Sequence, residues 1–258
     1  MPKNGKFDIV TGCARSGTSC VMLCLKLAGV QIGGFKYPAP LLNEKGMQTD
    51  GGLALPQPHM VQRNPKGLWE YTSIATKGIK SIHQHYDGDV VKVLTQALIH
   101  CDPDYVNRCL LVIRNPRSIV VSMKGQVDID SPDNIDWYIY SLIHNTITGL
   151  RWLQSMNRNF KIIIYEELLA NPYSIVEEMC VWLDHGNPKW GVHGVDKALN
   201  RSKPYGGDSE ALREADTFYD SLNCRNLEKL YAYDLKALGE RIDKVYVKMQ
   251  SSNNPKGG

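Results

Sequence analysis

An apolar segment, Phe7-Asp8-Ile9-Val10-Thr11, runs into Gly12-Cys13-Ala14-Arg15-Ser16-Gly17-Thr18-Ser19 and then into helical apolar spacing at Val21, Leu23, Leu25, Leu27 and Ala28. A buried-type strand, a glycine-framed loop and a helix over Ser16 to Ala28, in that order, leave few folds open. Gly12 and Gly17 let the backbone curl so that successive N–H groups point inward. The helix adds the positive end of its dipole, and the two together make an anion cradle suited to phosphate.

The spacing is similar to the nucleotide P-loop, G-x-x-x-x-G-K-[ST], except that Thr18 stands where the lysine belongs. The cation is Arg15, inside the loop. That suits a single 5′-phosphate bearing a further anionic group better than a triphosphate with magnesium. The plain alternative is a glycine turn before a helix with an incidental arginine. A second signal is Leu110-Leu111-Val112-Ile113-Arg114-Asn115-Pro116-Arg117, continuing to Ser122. Its strand delivers Arg114 at the carboxyl end, where open α/β sheets bind ligands, and Pro116 fits the first turn of the next helix. Ser122 lies about two turns along that helix, so a phosphate between them could take a fork from Arg114 and a hydroxyl from Ser122. Taken alone, such an arginine is often a surface ion pair.

Further buried-type strands are predicted at Asp89 to Leu94, Cys109 to Ile113 and Phe160 to Tyr165. Their Val/Ile/Leu runs show little polar alternation, as a parallel sheet covered on both faces demands. Helical spacing covers Asn134 to Met156, and Asp208 to Met249 with a break near Asn223. Trp137, Tyr138, Tyr140 and Trp152 on the first of these read as core before they read as a partner surface. The expected fold class is α/β, with a central parallel sheet between helix layers and P-loop-like topology. One domain is expected over residues 1–250, with a flexible tail at 251–258. Six Gly and five Pro in the 35 residues from Gly33 to Gly67 mark an irregular loop, read as a cover for a substrate rather than a disordered insertion.

With 43% apolar and 22% charged residues, the chain is neither disordered nor a rod. Thirty basic against 27 acidic residues give +3, too mild to argue for nucleic acid. No apolar run approaches the roughly 20 residues of a membrane span, and the N-terminus shows no secretory signal. A cytoplasmic location is therefore expected. Seven dispersed cysteines fit buried free thiols in a reducing compartment. Cys20 and Cys24 share a helix face but find no zinc-like second pair, so they are read as packing and no metal site is expected.

The two signals together, G-x-x-R-S-G-T-S and R-N-P-R-x-x-x-x-S, resemble the sulfotransferases that use 3′-phosphoadenosine 5′-phosphosulfate. Two further stretches match in order. Lys161 to Pro172 is similar to the family's strand plus Y-E-D-L-x-x-x-P, and Asn64-Pro65-Lys66-Gly67-Leu68-Trp69-Glu70 to N-P-x-G-[YF]-[WF]-E. The resemblance runs from about residue 7 to about 185. It implies that Arg15, Ser16, Gly17, Thr18 and Ser19 grip the 5′-phosphosulfate, and that Arg114 and Ser122 grip the 3′-phosphate. Tyr165 would touch the adenine, or else merely cap a buried strand. Lys92 matches the lysine of a K-T-H-L-P-like segment whose histidine is Leu94 here. A lysine inside a buried strand needs an anion, so Lys92 joins Arg15 as a charge-stabilising cation.

With that histidine absent, Glu70 is chosen as the base, since some bacterial and Golgi-type members use a glutamate in this region. A helix-start carboxylate or an ion pair is its alternative, and Asp50, His59, His83 and His85 are reserves. Arg201 and Lys203 would close over the 3′-phosphate or form a solvated basic loop. The expected activity is in-line transfer of a sulfuryl group to a hydroxyl, or an amine, of a small-molecule or carbohydrate acceptor. A small-metabolite kinase and a non-catalytic nucleotide-binding module are the alternatives. The acceptor's identity and the oligomeric state are not legible.

Overall fold

A computed structural model of the protein describes residues 6–33, 90–124, 131–155, 159–196 and 203–253. Among them, four strands form one sheet: β1 (Phe7–Gly12), β2 (Val90–Leu94), β3 (Val106–Ile113) and β4 (Asn159–Ile164). Their order is β2-β1-β3-β4 and every pair is parallel. The chain reaches β2 on one side of β1 and β3 on the other. The loops after β1 and β3 therefore part at the carboxyl edge and leave a crevice there, the usual ligand position in such sheets.

Pairs of side chains on successive strand residues divide between two cores. Ile9, Val91, Val93, Leu111, Ile113, Ile162 and Ile164 face one layer, while Val10, Val90, Leu110, Val112 and Ile163 face the other. The second layer is built from α1 (Thr18–Leu27), α5 (Tyr165–Ala170), α6 (Pro172–Leu183) and the short α7 (Pro188–Gly191). The first contains α2 (Thr95–Leu98), α3 (Pro116–Met123), α4 (Pro132–Ser155), α8 (Glu210–Asn223), α9 (Leu227–Tyr231) and α10 (Leu235–Asn253). The α/β architecture expected from the apolar runs is the one observed, a parallel sheet between helix layers. Tyr140 is buried, and Tyr138 and Trp152 pack against the core, so these three aromatic residues of α4 are interior groups, whereas Trp137 is half-buried and joins none of the core clusters.

Several boundaries differ from the expected ones, each for a local reason. The helix after the glycine loop starts at Thr18 and not at Ser16, because Gly17 is left-handed with φ 102°. The long C-terminal helical stretch breaks twice. Asn226 caps α9 through Lys229 N–H at 3.1 Å, after left-handed Arg225, and Asp234 caps α10 through Lys236 and Ala237 N–H at 2.9 and 3.1 Å. That last helix runs to Asn253, into the stretch expected to fray. Cys13, Cys24, Cys101, Cys109 and Cys180 are buried, but Cys224 is exposed at the end of α8.

The loop helix is clasped from behind. Cys20, Cys24 and Ala28 form a small-residue stripe on α1, and the segment through α7 crosses it on its glycines. A Cβ on Gly194 would lie 2.7 Å from Cys24 N and Cα, and one on Gly191 would lie 3.0 Å from the Cys24 carbonyl. Cys20 also approaches the Gly194 carbonyl at 3.8 Å. These two cysteines act as packing groups of the right size. At the opposite edge of the sheet, Asp8 accepts from Asn107 Nδ2, Arg108 N–H and the Arg108 guanidinium, which also binds the Trp182 and Leu183 carbonyls ending α6. No described helix is long and apolar enough to cross a membrane.

Candidate anion-binding site

The loop after β1 turns on two left-handed residues, Arg15 at φ 69° and Gly17 at φ 102°. Such a conformation at a non-glycine residue costs on the order of 1–3 kcal/mol and persists where surroundings hold it. Here the Arg15 carbonyl accepts from Arg114 NH1 at 3.1 Å and its Nε donates to Ser122 Oγ at 2.9 Å. Two glycines have no substitute. A Cβ on Gly12 would fall 2.4 Å from Ser16 Oγ and 2.5 Å from the Val112 carbonyl, and one on Gly17 would enter the Tyr165 ring at 2.3 Å. Helix α1 begins with no side-chain cap, and the Gly17 carbonyl accepts from Cys20 and Val21 N–H at 2.9 and 3.1 Å.

Four charged or hydroxyl groups converge on this loop. Arg114 follows directly from β3 and is 8% exposed. Its guanidinium carbon lies 4.9 Å from the Tyr165 ring centre, a cation–π contact. Burial lowers the Arg114 pKa, with Tyr165 and Glu166 acting in the opposite sense, and an arginine so placed stays charged. Ser122 comes from the last turn of α3. Lys92, from the middle of β2, is 4% exposed and donates to Ser19 Oγ at 3.1 Å. Burying that ammonium would cost several kcal/mol with no partner, so its placement at the loop needs acceptors there. Tyr165 opens α5, and burial raises its hydroxyl pKa to about 12.

Helix α3 is held tightly where it leaves the site. Asn115 caps it, accepting from Arg117 and Ser118 N–H at 2.9 and 3.3 Å, with Pro116 in the first turn. Asn115 N–H donates to Glu166 Oε1 at 3.1 Å, and Glu166 Oε2 accepts from the Tyr219 hydroxyl at 2.9 Å. Arg117 grips Asp216 with Nε at 3.0 Å and NH2 at 2.8 Å, and donates NH1 to the Tyr205 and Gly207 carbonyls at 3.0 and 2.6 Å. Lys124, just past α3, sits 4.9 Å above the Tyr205 ring centre.

Of the residues singled out in the sequence, Arg15, Ser16, Gly17, Thr18, Ser19, Lys92, Arg114, Ser122 and Tyr165 all lie at or beside the loop. Glu70 and Arg201, with Asp50, His59, His83 and His85, lie outside the described residues, and Lys203 is exposed. Arg15 reaches Ser122, so the two groups assigned to opposite ends of a bound donor touch each other. Glu166 and Arg117 stand in the matched stretches with no role implied for them, and nothing in the sequence marks Tyr219 or Asp216. A carboxylate placed directly after Tyr165 was the one visible signal for Glu166.

The residues present fit a bound anion. Ser16 Oγ is buried and has no hydrogen-bond partner among the described residues, and the loop's curvature is preserved by two glycines that admit no side chain. Beneath the loop, Cys13 Sγ meets Thr146 Oγ1 at 3.2 Å, and Tyr138 OH reaches the Ala14 carbonyl at 3.5 Å, so α4 supports the floor. A narrow cleft lies between this floor and α8, lined by Ser16, Arg114, Phe218 and Tyr219 among others.

No protein-family model matches the chain, and no curated protein matches it in sequence. Solved structures with a similar fold include a sulfotransferase from Alicyclobacillus acidocaldarius, at 15% identity over 90% of this chain and 98% of that one, with a TM-score of 0.43. The sulfotransferase domain from the curacin biosynthetic pathway aligns at 12% identity over 97% of this chain and 98% of its own, with a TM-score of 0.41. The sulfotransferase domain from the Synechococcus PCC 7002 olefin synthase aligns at 16% identity, 90% and 96% coverage and a TM-score of 0.42.

Proposed function

We propose that the chain is a sulfotransferase that takes a sulfuryl group from 3′-phosphoadenosine 5′-phosphosulfate and passes it to a hydroxyl or amine of a small-molecule or carbohydrate acceptor. The observation that carries this reading is the meeting of Arg15, Arg114 and Ser122 at the carboxyl edge of the sheet, with Lys92 on the loop's other flank. It supplies two stations for anions on one crevice. One is the loop with Lys92, Ser16, Gly17, Thr18 and Ser19, which suits the 5′ group. The other is Arg114 with Ser122, which suits a 3′-phosphate.

The donor, when bound, supplies an already activated sulfuryl group, and this chain's residues position it and balance charge. Loop N–H groups and the Ser16, Thr18 and Ser19 hydroxyls hold equatorial oxygens. Lys92 and Arg15 oppose the charge that builds as the sulfur–oxygen bond lengthens. Arg15 Nε donates to Ser122 Oγ, and the serine's own proton stays available for a phosphate oxygen, so one hydroxyl links the two stations. Tyr165 supports Arg114 and lies beside the loop, near enough to flank a purine. Arg201 adds to the 3′-phosphate station. Glu70 takes the acceptor's proton; of the groups assigned here it alone can act as a base. In-line transfer of this kind requires neither a thiol nor a metal.

Calorimetric titration with 3′-phosphoadenosine 5′-phosphate, beside 5′-AMP and ATP with magnesium, tests the donor assignment. Binding of the bisphosphate that is lost in Arg114→Ala is the expected result. Binding of ATP with magnesium in its place would return the chain to the kinase alternative. Glu70→Gln should then keep bisphosphate binding and lose transfer. If it keeps transfer, the base is another group.

A further inference from the structure

An arginine at the end of a strand is only as well aimed as the backbone that carries it. Arg114 stands in a tight exit from β3 into α3, where neither the sheet nor the helix takes up the next N–H, that of Asn115. Glu166 Oε1 accepts it at 3.1 Å. The other oxygen of Glu166 accepts the Tyr219 hydroxyl from α8 at 2.9 Å. A carboxylate this close to a station for a dianion opposes binding unless it serves another purpose. Here both of its oxygens are engaged, one by the peptide that follows Arg114 and one by a phenol from a helix that contributes no group to the anion stations. Asp216, one turn earlier on α8, holds Arg117 from the same turn of α3. Helix α8 thus grips the Arg114 turn twice, through two different side-chain pairs.

We propose that Glu166 is a positioning residue for Arg114, and that Tyr219 orients its carboxylate so that α8 sets the affinity of the 3′-phosphate station. This rests on the donor reading above and deepens it. Glu166 touches no donor atom and acts through the Asn115 peptide. Loss of either hydrogen bond lets the turn rotate and the guanidinium leave its place over Tyr165. The 5′ station feels that motion only through the Arg114 NH1 contact to the Arg15 carbonyl, and it keeps its own hold in the remaining β1 loop and Lys92. The mark of this role is an unequal loss: the bisphosphate is weakened far more than the monophosphate.

The experiment measures the affinities of the full chain for 3′-phosphoadenosine 5′-phosphate and for 5′-AMP in Glu166→Leu, Glu166→Gln and Tyr219→Phe, with Arg114→Ala as reference. Glu166→Leu should weaken the bisphosphate by about tenfold and leave 5′-AMP within about twofold, as the loss of one charge-assisted hydrogen bond requires. Glu166→Gln keeps a carbonyl acceptor for Asn115 N–H and should restore binding to within about threefold. Tyr219→Phe should cost the bisphosphate about threefold or more. Equal weakening of both ligands would make Glu166 a general brace of the fold and overturn the proposal. So would native bisphosphate affinity in Tyr219→Phe, a variant that keeps the ring in the core even if Glu166→Leu does not fold. If the native protein binds no bisphosphate at all, the donor reading fails and the proposal goes with it. If the native protein binds it, Arg114→Ala does not and the Glu166 variants do, only the proposal fails.

Discussion

Tyr165 fills the space that a side chain at Gly17 would need: a Cβ there would stand 2.3 Å from Cδ2 and 2.6 Å from Cε2 of the ring. The ring that supports Arg114 from one side therefore presses on the anion loop from the other. Gly17 is also left-handed, at φ 102°. Gly17→Ala meets both penalties and should destabilise the protein by about 2–4 kcal/mol, the conformational part and the overpacking part together. Chemical denaturation reads this directly. A loss under about 0.5 kcal/mol, the size of an ordinary surface change, would mean that the ring moves freely and that its contact with the loop is incidental.

Lys92 is a buried cation inside a strand. Replacing a buried charge by an apolar group of similar volume is often neutral or stabilising. Lys92→Met should accordingly melt within a few degrees of the native protein while its transfer rate falls by about a hundredfold, the scale of losing one group aimed at developing charge. Thermal unfolding and single-turnover rates give the two halves. A folded variant with full activity would remove Lys92 from the reaction.

Ser122 offers a finer test of the same crevice. Its hydroxyl accepts from Arg15 Nε at 2.9 Å. Ser122→Ala should weaken 3′-phosphoadenosine 5′-phosphate by about threefold to tenfold, as loss of a hydrogen bond to a charged group does, and should leave 5′-AMP unchanged. Weakening of 5′-AMP by the same factor would place Ser122 at the 5′ end.

Burial raises the hydroxyl pKa of Tyr165 to about 12, and burial pushes Tyr138 and Tyr219 upward as well. A tyrosine in the unfolded chain ionises near pH 10. Between about pH 10 and 12 the folded protein keeps a proton that the unfolded chain has released. The stabilisation from these groups is complete below about pH 10 and is lost as the pH rises. An alkaline titration followed by phenolate absorbance should therefore show a group of tyrosines that ionise only as the structure unfolds. Tyr165→Phe should move that transition to higher pH. Free ionisation of every tyrosine near pH 10 with the fold intact would contradict this account.

The strands were legible because a parallel sheet covered on both faces demands apolar runs, and Leu110 to Ile113 or Ile162 to Ile164 can hardly be read otherwise. The loop was legible because Gly12 and Gly17 stand at positions that tolerate no side chain. The helix ends were less so. Whether Asp208 to Met249 breaks once or twice depends on Asn226 and Asp234 acting as caps, and many surface Asn and Asp residues look the same in sequence. The braces were least visible. Glu166, Arg117, Asp216 and Tyr219 are separated by up to about a hundred residues, and their pairing depends on where α8 is laid across α3. A residue that touches the ligand tends to sit in a local motif. A residue that aims another shows itself only once the elements are packed.

Gly191 and Gly194 bring the backbone of one segment almost into contact with the backbone of α1, while Tyr165 closes on Gly17 at the other end of the same helix. The loop and its helix are thus held in shape by the protein's own packing. An anion that docks there meets N–H groups already fixed in place and has no disordered chain to freeze, so the entropy of ordering that usually opposes association is small on this side of the crevice.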